Sequence, residues 1–315
     1  MFTGDISQSE DGASPSNEVI VAVEGLTKRY GRRVALEALS LTVRRGEVFG
    51  LVGANGGGKT TTLRILAGIL KPDQGRGQVL GFDLLRGAND IRRHVGYMSQ
   101  RFSLYPDLTV IENLRFRAEI YGLQEMRTAV EQALEHFELA RYARTRAREL
   151  SGGWARKLQL AATLIHSPQL IFLDEPTAGL DTLSRHDVWR RLERLASAGA
   201  GVIVSSHDLA ETERCSRAAL LWEGRVVDAG TPDQIAQRAP AVAFLLSGSD
   251  ARALQGTIEH TAGVITSYPQ GGGLRVVAMP ESATALTNQA SAHHLSISKV
   301  LMRLEDAVLA CSTRP

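Results

Sequence analysis

The 315-residue chain has only two cysteines, Cys215 and Cys311, and neither belongs to a C-x-x-C pair or a zinc-ligand spacing. A disulfide framework and a structural zinc site are therefore excluded as organising features, and both thiols read as packed residues of a reducing compartment. No excess of one charge is present either: 36 Lys and Arg face 34 Asp and Glu, a formal net of +2. So small a surplus provides no electrostatic footprint for nucleic acid. Long apolar runs are also missing. Even Leu164–Leu173 is broken by His166, Pro168 and Gln169, whereas a membrane-crossing helix needs roughly 20 apolar residues. Residues 1–18, rich in Ser, Asp, Glu and Gly, lack the basic start and apolar stretch of a secretory signal and read as a disordered tail.

What is present is an ordinary globular composition, 43% hydrophobic and 22% charged, long enough for one large domain and a smaller one. Val19–Val23 reads as a strand. Ala38–Val43 alternates apolar and polar residues before a turn at Arg44–Glu47, which predicts an antiparallel start. Lys71–Gly75 reads as a turn, Gly77–Gly81 as a short strand and Ile91–Gln100 as a strand. Leu108–Arg148 is helix-like, with Thr109 as N-cap and Glu112 as its capping-box partner. Leu170–Leu173 and Ala200–Val204 are continuous apolar runs, as in strands buried on both faces of a parallel sheet, and the amphipathic Ser184–Ala196 lies between them. The core is therefore α/β. Beyond Pro240, the runs Gly263–Tyr268, Leu274–Met279 and Leu295–Val300, with helices opening at Pro280 and Leu304, predict a small α+β module. It is assigned a regulatory or packing role.

Chemistry concentrates in Gly53, Ala54, Asn55, Gly56, Gly57, Gly58, Lys59 and Thr60, which match G-x-x-x-x-G-K-[ST]. The apolar run Val48–Val52 precedes this loop and a helix-like Thr61–Ala67 follows it, the strand-loop-helix context the pattern requires. Glycines let the backbone curl so that N–H groups face phosphate oxygens, and the helix N-terminus favours the same anion. Lys59 reaches the β- and γ-phosphates, while the Thr60 hydroxyl suits Mg²⁺. The chain is expected to bind a nucleoside triphosphate. No N-K-x-D-like guanine motif accompanies the loop, which argues against a GTP switch.

Leu150-Ser151-Gly152-Gly153 opens another predicted helix, where N–H groups and a hydroxyl can meet a γ-phosphate. With this motif the chain resembles the ATP-binding cassette (ABC) proteins over most of residues 19–235. The implied fold is a P-loop NTPase with an ABC-type ATPase core over 19–240, comprising a mixed β-sheet, an antiparallel β subdomain and a helical subdomain at about 101–166. The small α+β module then occupies 241–315.

The resemblance also implies site roles. Asp174 holds Mg²⁺ at the end of the Walker B run Leu170–Glu175, and Glu175 polarises the attacking water. Gln100 resembles the Q-loop glutamine, contributing to Mg²⁺ or the lytic water, and His207 the switch histidine. Tyr30 resembles the aromatic that stacks on adenine, and Asp181 the D-loop residue at a dimer interface. Alone, His207 would be structural and Tyr30 a core residue. Ser151, Gly152 and Gly153 complete the nucleotide site of a second cassette, with Thr61 beside the first. Ala54 and Gly57 depart from the commoner Pro and Ala, Arg156-Lys157 from Gln-Arg, and Thr182 from Pro. The change at 156 removes an amide that could bond across a dimer.

The implied whole is an ATPase subunit on the cytoplasmic face of the cell membrane, paired with a second cassette and with separately encoded integral membrane permeases. It touches neither cargo nor nucleic acid. Tyr97–Val110 and Leu304–Val308 resemble bacterial multidrug-type exporters, and Phe102, Leu104 and Tyr105 form an apolar cluster suited to a permease coupling helix. The rival reading is a soluble mechanical or regulatory ATPase; no second phosphate loop or sustained heptad pattern supports it.

Overall fold

Alternating burial gives the chain its first two strands, β1 (Val19–Tyr30) and β2 (Arg33–Arg44), with Ile20, Val21, Val23, Leu36, Leu39 and Val43 turned inward. The computed structural model describes residues 17–312, so most of the tail expected over 1–18 lies outside the described residues. Contacts divide the chain into two compact units. One holds the described residues up to Lys28, Ala38–Phe49 and Thr60–Ser205; the other holds Arg29–Glu37, Gly50–Lys59 and the described residues from Ser206 onward.

The first unit contains two kinds of sheet. After β3 (Val48–Val52) and α1 (Lys59–Leu66), the strands β4 (Gln74–Val79) and β5 (Phe82–Asp83) complete a sheet ordered β2-β1-β4-β5, with β1 antiparallel to β4. Pairing of Thr27 with Gln74 starts β4 earlier than the expected Gly77. The expected strand Ile91–Gln100 is corrected more deeply. Residues Ile91–His94 belong to α2 (Ala88–His94), which buries Ile91 and carries Asp90 in its first turn and Arg92, Arg93 and His94 in its last. That charge order suits a helix dipole. Only β6 (Val95–Met98) is extended, and it runs parallel to β7 (Leu170–Asp174) with Val95 opposite Leu170.

Helices α3 (Val110–Ile120), α4 (Met126–His136), α5 (Gly152–Leu164) and α6 (Thr182–Ser197) intervene before β8 (Gly201–Ser206), which pairs parallel to β7. Thr109 and Glu112 form the anticipated capping box at α3. The buried amide of Asn113 bonds both backbone groups of Tyr105 and the carbonyls of Leu108 and Thr109, stapling that loop to the helix. Register sets Asp174 opposite Ser205. Both therefore project at the carboxyl ends of parallel strands, where open α/β sheets place their ligands.

In the second unit, α7 (Leu209–Thr212) leads to an antiparallel hairpin of β9 (Arg217–Trp222) and β10 (Arg225–Gly230), followed by α8 (Pro232–Arg238). Strand β11 (Val242–Ser247), α9 (Gln255–Glu259), β12 (Val264–Gln270), β13 (Gly273–Ala278), α10 (Ala283–Ala292) and β14 (Ser296–Val300) follow, with the strands ordered β12-β13-β11-β14. Phe244, Leu246, Leu274, Val276 and Leu286 fill the core beneath this sheet. The last helix, α11 (Leu304–Ser312), packs Leu304 and Ala307 against Val52, Ala218, Leu220 and Ile235. A buried ion pair, Arg275 on β13 with Asp306 on α11, ties that helix to the sheet at 2.5 Å.

Candidate active site

The glycine loop lies wholly within the second unit, and its sequence is dictated by close backbone approach. Gly53 has φ +146°, and a Cβ there would sit 2.0 Å from the Leu221 carbonyl oxygen. Gly58 has φ +103°, and its Cβ would meet Leu36 Cδ2 at 2.6 Å and Ala35 O at 2.7 Å. Neither position tolerates a side chain. Gly57 donates its N–H to Ala54 O at 3.1 Å, tightening the turn around the exposed Asn55 and Gly56. Lys59 curls over this loop: its buried Nζ donates to Gly53 O (2.7 Å) and Ala54 O (3.1 Å). Arg33, absent from the sequence-based candidates, reaches Gly56 O at 3.4 Å from the hairpin that also carries the half-exposed ring of Tyr30.

His207 is exposed on the loop after β8, where Ser206 Oγ accepts the Asp208 N–H and itself donates to Glu211. It lines a cavity of about 260 Å³ with Gly53, Ala54, Leu209, Trp222, Val308 and Leu309. The structure thus brings His207 beside the start of the glycine loop and places α11 there as well. A helix opening at Leu304 is expected from the sequence, but not its place beside this loop, because nothing in Val308 or Leu309 marks them for this position.

The carboxylates lie in the first unit. Thr60 Oγ1 donates to Asp174 at 2.8 Å (Oδ2) and 3.1 Å (Oδ1), and Ser205 Oγ donates to Asp174 Oδ1 at 2.6 Å. Glu175 turns away at φ +50°, a left-handed backbone that costs a non-glycine residue about 1 kcal/mol or more. Its N–H donates to Ser205 O and Ser205 Oγ, both at 3.1 Å, and its carboxylate accepts Gln100 Nε2 at 2.7 Å. Neighbouring carboxylates therefore have separate partners, Asp174 a hydroxyl pair and Glu175 the glutamine. Thr61 is half-buried in the first turn of α1.

Ser151 caps α5 without using its hydroxyl for the cap; Ser151 and Gly152 are exposed and Gly153 is half-buried. Asp181 is the N-cap of α6, accepting the amides of Leu183 and Ser184 and the Ser184 hydroxyl, which hold its carboxyl below the usual aspartate range. Of the apolar cluster expected to meet a coupling helix, Leu104 is buried, whereas Phe102 and Tyr105 are exposed.

Arg156 corrects an expectation. Position 156 does not face outward for a cross-dimer bond; its guanidinium is buried and donates to the carbonyls of Gln100 (2.8 Å), Pro176 (3.0 Å), Asp174 (3.2 Å), Ser99 (3.3 Å) and Glu175. Burial presses its pKa below the ordinary guanidinium value, opposed by the charges of Asp174 and Glu175. Ser205 and Arg156 were both missed as site residues because their roles depend on strand register and on a helix packed across it.

With this geometry in hand, a family model described as "ABC transporter" matches residues 36–178. The chain is 40% identical over 220 residues to the probable multidrug ABC transporter ATP-binding protein YbhF of Escherichia coli (strain K12), covering 69% of this chain but only 38% of that longer relative. It is 41% identical over 219 residues to the Nod factor export ATP-binding protein I of Ralstonia nicotianae (strain ATCC BAA-1114 / GMI1000), covering 69% of this chain and 68% of the relative. A dimeric post-hydrolysis structure of the ATP-binding cassette MJ0796, bound to ADP and Pi, superposes with TM-score 0.63 at 27% identity, covering 67% of this chain and 98% of that one.

Proposed function

The chain belongs to the ABC transporter family, and from that premise we propose that it is the ATP-hydrolysing subunit of a membrane exporter. It works as one of two head-to-tail cassettes at the cytoplasmic face of the membrane, on separately encoded permease subunits. The observation that carries hydrolysis is the division of labour at the strand ends: Thr60 on Asp174, and Gln100 on Glu175. Lys59 and the loop amides of residues 53–58 hold the phosphates, with Thr61 beside them, and Tyr30 stacks on the adenine. Glu175 accepts a proton from the attacking water while Gln100 orients it; His207 donates a hydrogen bond to a γ-phosphate oxygen. Mg²⁺ fits the Thr60 hydroxyl and the Asp174 carboxylate, two hard oxygen donors already in contact, and would neutralise phosphate charge.

Pairing of cassettes is supported by Gly152. A Cβ there would meet nothing within 4 Å, and its φ is not left-handed, so this chain's own packing does not require a bare backbone. A phosphate held by the second cassette supplies the requirement. Ser151 and Gly153 flank it, and Asp181 lies on the same interface. Exposed Phe102 and Tyr105, beside the Gln100 loop, offer the permease an apolar foothold. No helix among the described residues is long and apolar enough to cross a membrane, so the cargo path belongs to the partner. Efflux is favoured by the names of the relatives, multidrug transport and Nod factor export.

Two substitutions test the roles. Glu175→Gln should keep ATP affinity within about three-fold, accumulate dimers and lower turnover by about 100-fold or more. Lys59→Ala should instead weaken ATP binding by about ten-fold or more. Equal losses of affinity in both would refute the assignment. Affinity purification from detergent-solubilised membranes should recover a multi-span partner that alters the hydrolysis rate; a soluble partner alone would favour a mechanical ATPase.

A further inference from the structure

We propose that Arg156 is a positioning residue for hydrolysis: its guanidinium fixes both the Gln100 loop and the turn that aims Glu175, and so sets the Gln100–Glu175 contact. This rests on the reading of Glu175 and Gln100 given above.

The geometry is that of a fork with donors spent on backbone. Nε donates to Pro176 O at 3.0 Å, Nη2 to Asp174 O at 3.2 Å and to Glu175 O, so three consecutive carbonyls of the turn converge on one side chain. Nη1 donates to Gln100 O at 2.8 Å, Ser99 O at 3.3 Å and Gln159 Oε1 at 3.1 Å. Gln159, one turn further along α5, donates to Ser99 O (2.9 Å) and Arg101 O (3.0 Å), doubling the hold on the loop. The turn needs such support because Glu175 adopts φ +50°, a conformation that persists in a non-glycine residue only where its surroundings over-determine it. Ser205 holds the Glu175 amide and Arg156 holds the carbonyl on the other side of the same residue. Lysine cannot replace this arrangement, since a single tetrahedral ammonium on a flexible stem lacks the planar, directed donors of a guanidinium or an amide.

Removal of the donors leaves buried carbonyls facing one another and releases the left-handed turn. The Glu175 carboxylate then drifts from the 2.7 Å contact with Gln100, and a misplacement near 1 Å is worth on the order of 100-fold in rate. Nucleotide affinity is affected far less, because the partners of Arg156 lie in the Gln100 loop, the Glu175 turn and α5.

The test uses the full chain with Mg-ATP, measuring ATP affinity, kcat and melting for Arg156→Met, Arg156→Gln and Glu175→Gln, and the pair Arg156→Met with Glu175→Gln. Arg156→Met, which keeps an unbranched stem without donors, should lose about 10- to 100-fold in kcat with affinity within about three-fold. Arg156→Gln, whose amide restores two donors, should recover to within about five-fold of the parent. Added to Glu175→Gln, Arg156→Met should lower the residual rate by less than about two-fold, since both act on one step. Wild-type kcat in Arg156→Met, an Arg156→Gln as slow as the methionine variant, or multiplied losses in the pair would overturn the inference alone. A parent that does not hydrolyse ATP, or Glu175→Gln at parental rate, would remove the reading on which it rests. Should Arg156→Met not fold, Arg156→Lys takes its place: it should lose about ten-fold or more in kcat with affinity within about three-fold, and a parental kcat would overturn the inference.

Discussion

Replacing Asp306 by asparagine should loosen α11 from its sheet. The Asp306 carboxylate is fully buried and accepts Arg275 Nε (3.0 Å to Oδ1, 3.2 Å to Oδ2), Arg275 Nη2 (2.5 Å), the Tyr268 hydroxyl (2.7 Å) and the Arg303 amide (2.7 Å). Burial by itself favours the protonated acid, but the Arg275 hydrogen bonds, with those of Arg303 and Tyr268, hold the pKa below the ordinary aspartate value. Asparagine keeps one acceptor oxygen, turns a donor toward the guanidinium and leaves the Arg275 charge buried without its counter-ion. Breaking one side of such a pair costs about 3–5 kcal/mol. The helix also packs buried Leu304, Ala307 and Ala310, with Val308 and Cys311 partly buried beside them, a small apolar contact, so the loss should appear as local opening. At about 1.4 kcal/mol per tenfold, amide exchange over 304–312 should quicken about 100-fold or more. Hydrogen-exchange mass spectrometry reads this directly, and Trp222 emission gives a second report because Trp222 lines the cavity with Val308 and Leu309. Acceleration below about ten-fold would refute the reasoning. The combination Arg275→Met with Asp306→Leu, which removes both charges, should return to within about 2 kcal/mol of the parent; if it stays as loose as Asp306→Asn, an unpaired charge is not the cause.

Two further outcomes are expected elsewhere. Thr182 is the first residue of α6, and Asp181 before it is extended at φ −66° and ψ 165°, a pairing suited to proline; Thr182→Pro should stabilise the chain by about 0.5–1 kcal/mol in urea titration, and destabilisation would show that the D-loop backbone needs freedom here. Burial lowers the pKa of His166 to about 4, with its ring stacked on Tyr121 and Nε2 against Val95 O. The unfolded chain therefore takes up this proton first: stability from the neutral ring is whole above about pH 6.5 and is lost as pH falls toward about 4, by about 2–3 kcal/mol. A His166→Gln variant should lose that part of the pH dependence, and an unchanged slope between pH 4 and 6.5 would count against it.

Motif reading could pick out the glycine loop, Asp174, Glu175, His207 and the Thr109 cap as candidates because each lies in a contiguous pattern whose chemistry is local; of these the Thr109 cap is seen as expected. It failed at Ile91–His94, where an apolar residue among basic ones fits a strand end or a short helix equally well and only packing decides. The β9–β10 hairpin was not read either, although its two-residue turn at Glu223-Gly224, with positive φ at both positions, is a local signal. Arg275 and Asp306 show the stronger limit: each looks like a surface charge in sequence, and only the placement of β13 against α11 makes them a buried pair.

The glycines separate two sources of sequence constraint. Gly53 and Gly58 are required by this chain's own backbone, which would collide with any Cβ. Gly152 is under no such demand, yet it lies in a motif whose chemistry is anion binding at a helix N-terminus. Arg156, on the same helix, departs from the family's glutamine but is enclosed within its own unit, and so constrains the turn at Glu175 from inside. In the proposed dimer, helix α5 would join a surface facing another cassette's phosphate, at Ser151–Gly153, to the backbone turn that Arg156 holds at Glu175.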